Sequence, residues 1–195
     1  MKKLLLSILS ATLITFSFAQ KPDLRKPTTI GISFIATDFA TGAEIKKGGF
    51  GSVLRNGTLL KWSRINPGLA LNYFKGLTNH IDIAASLGGT FPQYQTPNGP
   101  TVSERHFLLE ATVNLNLKLL PDNYWVVPYL DLGVGANKYT SYYSAFVPFG
   151  MGLQINFFDQ AFIYWNSQIR APVTDNGASH LYHSITIAAP IGKKK

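Results

Sequence analysis

The chain has 195 residues, 46% hydrophobic and only 14% charged, with a formal net charge of +8 and no cysteine. The length suits one domain. The missing cysteine excludes disulfides and thiol chemistry, and the charged fraction falls well below the roughly 25% usual in soluble domains. Much of the positive excess sits near the ends, at Lys21, Arg25, Lys26, Lys193, Lys194 and Lys195. Terminal clusters of this kind meet anionic headgroups or are solvated. They do not make the folded basic face that nucleic-acid binding needs, so no nucleic-acid partner is expected.

Residues 1–19 read as an export signal. Lys2 and Lys3 form a positive start, Leu4 to Phe18 an apolar stretch, and Ser17-Phe18-Ala19 a small-x-small cleavage site. The alternative is a retained helix, but the stretch is short and wrongly flanked for a membrane span. Cleavage leaves 20–27 as an N-terminal segment on the periplasmic side. No later run reaches 18 apolar residues, so no spanning helix is expected. A chain this apolar is then either a well-buried soluble fold or a β-barrel in lipid.

Alternation of apolar and polar residues marks strands, because successive side chains point to opposite faces. Strand one is predicted over 28–38, with Ile30, Ile32, Phe34 and Ala36 on one face. Strand two, 68–75, carries Leu69, Leu71 and Tyr73; strand three, 81–91, sets Ile81, Ile83 and Leu87 against Asp82, Ser86 and Thr90. Strand four is the stretch HFLLEATVNLNLKLL, 106–120. It sets Leu109, Ala111, Val113, Leu115, Leu117 and Leu119 against Glu110, Thr112, Asn114, Asn116 and Lys118. Strands five to eight follow at 125–137, 145–158, 161–170 and 182–192. Most run longer than the five or six residues common in soluble sheets. They match the 9 to 11 or so that a tilted strand needs to cross a bilayer.

Short connections at GLTNH, PDNY and DQ alternate with longer ones at 39–67, 92–105, 138–144 and 171–181. Short periplasmic turns and long external loops are the pattern of an outer-membrane barrel. The polar face is rich in Gly, Ser, Thr, Asn and Gln, which suits the filled interior of a narrow barrel better than a solvated sheet. The leucines then face lipid. Aromatics gather at predicted strand ends: Tyr124, Trp125, Phe157, Phe158 and Phe162 at one end, Phe91, Tyr139, Tyr142, Tyr143 and Phe146 at the other. Such girdles mark the two membrane interfaces. Pro128 and Pro148 fall within strands, and each is expected near a rim, where a lost ladder bond is tolerated.

The phrases PGLALNYFKGL, PYLDLGVGANKY, GLQINFFDQAF and LYHSITIAAPIGKKK complete the pattern. Through them the chain resembles the eight-stranded outer-membrane barrels of the OmpA/OmpX type, in particular the barrel domain that precedes a peptidoglycan-binding OmpA-like domain. The resemblance implies an all-β, eight-stranded antiparallel up-and-down transmembrane barrel over 28–192, with 193–195 as a basic periplasmic tail. The sequence ends at Lys195 without that second domain or a terminal aromatic residue, so cell-wall anchoring is not expected.

The remaining chemistry is sparse. In SHLYHS, 179–184, His183 and Ser184 fall on opposite strand faces, and His180 lies roughly 13 Å from Ser184 by strand rise. Neither pair can act as a nucleophile and base. The four histidines, including His80 and His106, read as rim residues without metal-ligand spacing. Glu110, Arg170, Asp131, Asp82 and Lys118 share the interior face and are expected to pair as a structural network, with Arg170 reaching Glu110 first and Asp131 second. The alternative is an ion path. The long 39–67 connection is expected to contain a small hairpin at Asn56-Gly57, with Val53, Leu54, Leu59, Leu60 and Trp62 as a lid-like cluster. Its Lys46, Lys47, Arg55, Lys61 and Arg64 suit lipopolysaccharide phosphates.

The sequence therefore predicts a non-enzymatic, monomeric integral outer-membrane barrel of a Gram-negative-type cell, without cofactor or metal. Its role is envelope integrity or surface interaction, with an unnamed surface partner. One rival is a soluble lipocalin-like barrel that encloses an apolar ligand; another is a lipid-A-modifying barrel enzyme.

Overall fold

The computed structural model describes residues 23–57, 61–92, 105–157 and 160–191. Eight strands close into one antiparallel barrel in chain order. They are β1 (Thr29–Asp38), β2 (Asn66–Gly76), β3 (Ile81–Thr90), β4 (Leu108–Lys118), β5 (Val126–Tyr139), β6 (Tyr142–Phe157), β7 (Ala161–Pro172) and β8 (His180–Pro190). Between β1 and β2 lie helices α1 (Phe39–Gly48) and α2 (Phe50–Arg55) and a 3₁₀ turn, Trp62–Arg64. Among the described residues no helix is long and apolar enough to cross a membrane.

The alternation sorts cleanly into two faces. Along β4 the exposed positions are Leu109, Ala111, Val113, Leu115 and Leu117, and the buried ones are Leu108, Glu110, Thr112, Asn114, Asn116 and Lys118. Around the rest of the barrel Ile32, Phe34, Leu69, Leu87, Leu132, Val134, Met151 and Ile187 all face outward. The apolar side chains are therefore outside and the polar ones within, which inverts a lipocalin. From Val126 to Ala136 the outward apolar band rises about 25 Å, given the strand rise and a barrel tilt.

Several expectations need correction. The 138–144 connection is not a loop. Strands β5 and β6 run on to Tyr139 and Tyr142 and turn within two residues, with Thr140 at φ 54. The strict alternation of short and long connections therefore breaks at this hairpin. Polar residues such as Lys138 and Ser144 hid the strand ends, because barrel strands extend beyond the apolar band.

The connection after β1 is helical, not a hairpin. Asp38 caps α1 by accepting from the Thr41 amide at 2.9 Å and its hydroxyl at 2.6 Å. Asn56 is the αR cap of α2, and Gly57, at φ 58, takes the left-handed conformation that ends a helix. Val53 is buried, but Leu54 and Trp62 are exposed, so no lid cluster forms among them. Leu59 and Leu60 lie outside the described residues.

Pro148 is not at a rim; β6 extends six residues beyond it toward the loop end. It has no N–H to donate, and the β5–β6 ladder skips from Leu132–Phe149 to Gly135–Phe146. The register is the same on both sides, so no bulge is needed.

Candidate functional site

The interior is filled, and its charges fall into two groups at opposite ends. At the turn end, Lys118 of β4 lies 2.8 Å from Asp82 of β3 and 2.9 Å from Asp122 of the following turn. A second ammonium comes from outside the sheet. The segment before β1 turns Lys26 up into the barrel, 2.5 Å from Asp82 and 3.8 Å from Asp122, and hydrogen-bonded to Gln154. Its charge also lies over the rings of Phe162 and Tyr164, at 5.3 and 5.1 Å. The Lys26 carbonyl accepts from the Gly76 amide, where a Cβ would collide with this segment. Glycine at position 76 thus lets the segment pass close beneath β2.

Two bases and two acids meet there, all nearly inaccessible, which is the pairing a dry interior requires. Gln154 donates to Asp122 at 2.9 Å, and Asn156 donates to the Asp122 and Tyr124 carbonyls. Lys26 is therefore not a solvated terminal charge. Neither Lys26 nor Asp122 lies in a predicted strand, so no parity signal marked them. At the exposed rim below, Arg25 hydrogen-bonds Asp23 and holds its carboxyl down at about 2.

Toward the loop end, Arg170 of β7 donates to Glu110 of β4 at 2.7 Å, across the barrel. His180 of β8 sits 3.1 Å from the other Glu110 oxygen. The guanidinium stacks 3.4 Å from the Tyr182 ring centroid, and Phe146 flanks it at 5.1 Å. Asp131 is not a second partner of Arg170. It accepts from Asn166 at 2.7 Å and Gln168 at 2.5 Å, and Gln168 in turn accepts from Arg170 at 3.3 Å. His180, the first residue of β8, stands at the loop-end rim but faces inward. It is fully buried, with Phe39 of α1 stacked on it at 4.4 Å.

Between the two groups, Phe74 stacks on Tyr164 at 4.3 Å, with Tyr129 edge-on to the same ring. Gly152 makes room for Tyr129, and Gly135 for Phe146. A cavity of about 30 Å³ remains, lined by Asn114, Asn116, Asn166 and Gln168 among others, with room for one or two waters.

Of the predicted interface aromatics, Trp125 (67% exposed), Tyr124 (50%) and Tyr143 (64%) point outward, and Tyr142 is half-buried. Phe158 lies outside the described residues. Phe162, Tyr139 and Phe146 do not join a girdle; they are buried within the barrel. Strand ends at a rim still have an inward face, and these three occupy it.

One side-chain pair missed in the sequence is Ser167 and His183, cross-strand partners on β7 and β8 whose Oγ and Nδ1 are 2.9 Å apart. Their spacing of 16 residues is visible only once the register is known. A nucleophile–base pair also needs a third group on the ring and oxyanion donors. The His183 Nε2 has no hydrogen-bond partner, and the surrounding backbone is committed to the ladders. No cluster of three metal-ligating side chains occurs among the described residues.

The loop end is basic. Lys46, Lys47, Arg55, Lys61, Arg105 and Lys138 are exposed there. Against them, among the described residues, stand Glu44, paired with Arg64 at 2.7 Å, and Asp175. Five of the ten acidic residues, Asp38, Asp82, Glu110, Asp122 and Asp131, are buried, against Lys26, Lys118 and Arg170 among the bases. Among the described residues the outer surface is thus more basic than their total charge suggests.

No family model and no curated protein matches the chain. Solved structures do. The N-terminal β-barrel domain of Pseudomonas aeruginosa OprF is similar over 85% of this chain and 98% of that one, at 11% identity and TM-score 0.51. Neisserial surface protein A (NspA) is similar over 84% of this chain and 96% of that one, at 10% identity and TM-score 0.52. At such identities the likeness is one of fold. This chain shares their fold, a closed eight-stranded antiparallel barrel.

Proposed function

We propose that this protein is an integral outer-membrane barrel, monomeric and non-enzymatic, that supports the envelope and meets its surroundings through a basic loop end. The observation that carries the reading is the inverted amphipathicity. A continuous outward apolar band surrounds a polar interior in which Asp82 and Glu110 are ion-paired and Asp131 is held by side-chain amides. A closed barrel leaves no unpaired strand edge, so its backbone is satisfied in lipid. The outward Trp125, Tyr124 and Tyr143 suit the interfaces that border such a band.

In this reading residues 1–19 direct export, 20–27 remain on the periplasmic side with Lys26 stoppering the barrel, 28–192 cross the membrane, and 193–195 form a periplasmic tail. The network of Glu110, Arg170, Asp131, Asp82 and Lys118 is a structural plug, and anionic groups such as lipopolysaccharide phosphates meet the loop-end lysines and arginines. Membrane fractionation tests the proposal. Extraction only with detergent, with heat-modifiable migration, is the expected result. Recovery in the soluble periplasm without detergent would overturn it.

A further inference from the structure

On the outer face of the barrel, at the loop end of β4 and β5, the two strands frame an open groove of about 390 Å³. It is lined by His106, Phe107, Leu109, Lys138 and Thr140. Its floor is apolar. Leu109 and Lys138 are cross-strand partners, Phe107 is 48% exposed, and its ring packs on Phe91 at 5.2 Å. That ring lies over Gly89, where any Cβ would strike it, so it is held flat against β3.

The head of the groove is cationic. The outward positions of β5 run Leu130, Leu132, Val134, Ala136 and then Lys138. The ammonium therefore stands where the apolar band ends, over the Tyr143 ring at 5.3 Å. A lysine so placed can lay its methylenes along apolar surface while its charge reaches a polar edge. Arg105 is exposed beside His106 at the same end, and among the described residues no acid lines the groove.

A band that ends in an isolated lysine, over a concave apolar floor, has the chemistry of a headgroup site. We propose that the groove binds an acyl lipid of the loop-side leaflet whose headgroup is an exposed anionic phosphate, uncapped by a cation such as choline. Lys138 and Arg105 donate to its phosphate, and one acyl chain lies over Leu109 and Phe107. The occupant follows from charge complementarity and from continuity of the groove with the apolar band, and the inference rests on the membrane reading above.

Native mass spectrometry of the detergent-extracted barrel, titrated with dioleoyl phosphatidic acid or dioleoyl phosphatidylcholine, tests it. Phosphatidic acid should be retained in preference. The double variant Lys138→Gln with Arg105→Gln should bind it about tenfold more weakly, the scale of one charge-assisted hydrogen bond. Lys138→Arg should keep most of the affinity, and inorganic phosphate should not displace the lipid. Equal retention of both lipids, an unaltered double variant, or displacement by inorganic phosphate would each overturn the groove. Heat-modifiable migration reports folding of each variant separately. A wild-type chain that needs no detergent sinks the membrane reading itself.

Discussion

Arg170 and Glu110 stand 60 positions apart in sequence and on strands that are not neighbours in the barrel, yet they meet at 2.7 Å inside it. Glu110 also faces His180, and Arg170 also stacks on Tyr182. Removing the guanidinium leaves a buried carboxylate with only His180 and the Asn137 amide beside it. Arg170→Ala should therefore cost about 3–5 kcal/mol. The measurement is the temperature at which the folded gel band converts to the unfolded one. Glu110→Gln combined with Arg170→Gln should recover part of the loss. If single removals leave heat stability unchanged but raise ion conductance in planar bilayers, the pair gates a pore and is no plug.

Lys26 should matter to the barrel although it precedes every strand. Lys26→Ala leaves Lys118 alone with Asp82 and Asp122, an uncompensated negative charge in a dry floor. A loss of several kcal/mol is expected. Adding Asp82→Asn to Lys26→Met should be less damaging than Lys26→Met alone, because charge balance returns. Thermal conversion of the two variants against wild type decides it, and wild-type stability of Lys26→Met would show that Lys26 is dispensable.

The two faces differ in what they tolerate. Leu115→Arg and Val134→Arg put a charge on the outward band, at a cost of about 2–4 kcal/mol near its middle. Asn114→Ala should be milder. Gly135→Ala should not be mild, since its methyl would meet the Phe146 ring and Thr112, and overpacking costs about 1–3 kcal/mol. Urea unfolding in lipid vesicles would rank the four, and normal insertion of both arginine variants would mean the faces are reversed.

Asp38→Ala should loosen the loop end while sparing the sheet. The side chain satisfies the first turn of α1, and losing such a cap costs about 1 kcal/mol. Trypsin should then cut faster at Lys46, Lys47 and Arg55, with little change in the barrel's thermal transition. Unchanged cleavage would show that Phe39 and Gly42, packed against β8, hold the helix without the cap.

By itself the sequence determined the strands and their two faces, because a period of two is a local property that needs no knowledge of neighbours. The parity of Leu109 to Lys118 already divided β4 into an apolar and a polar side. It also put Glu110, Arg170, Asp131, Asp82 and Lys118 on one face. Which of them touch was decided by register and closure. Arg170 and Asp131 share a parity, but closure brings Gln168 and Asn166 to Asp131 and leaves Glu110 to Arg170. Lys26, Asp122 and His180 entered the interior through chain segments at the edges of strands or beyond them, where alternation carries no signal. The pairing of Ser167 with His183, and the groove of Leu109 and Lys138, exist only across strand seams. Contacts of that kind depend on how far one strand is slid along the next, which hydrogen bonding around the closed barrel sets and no single strand encodes.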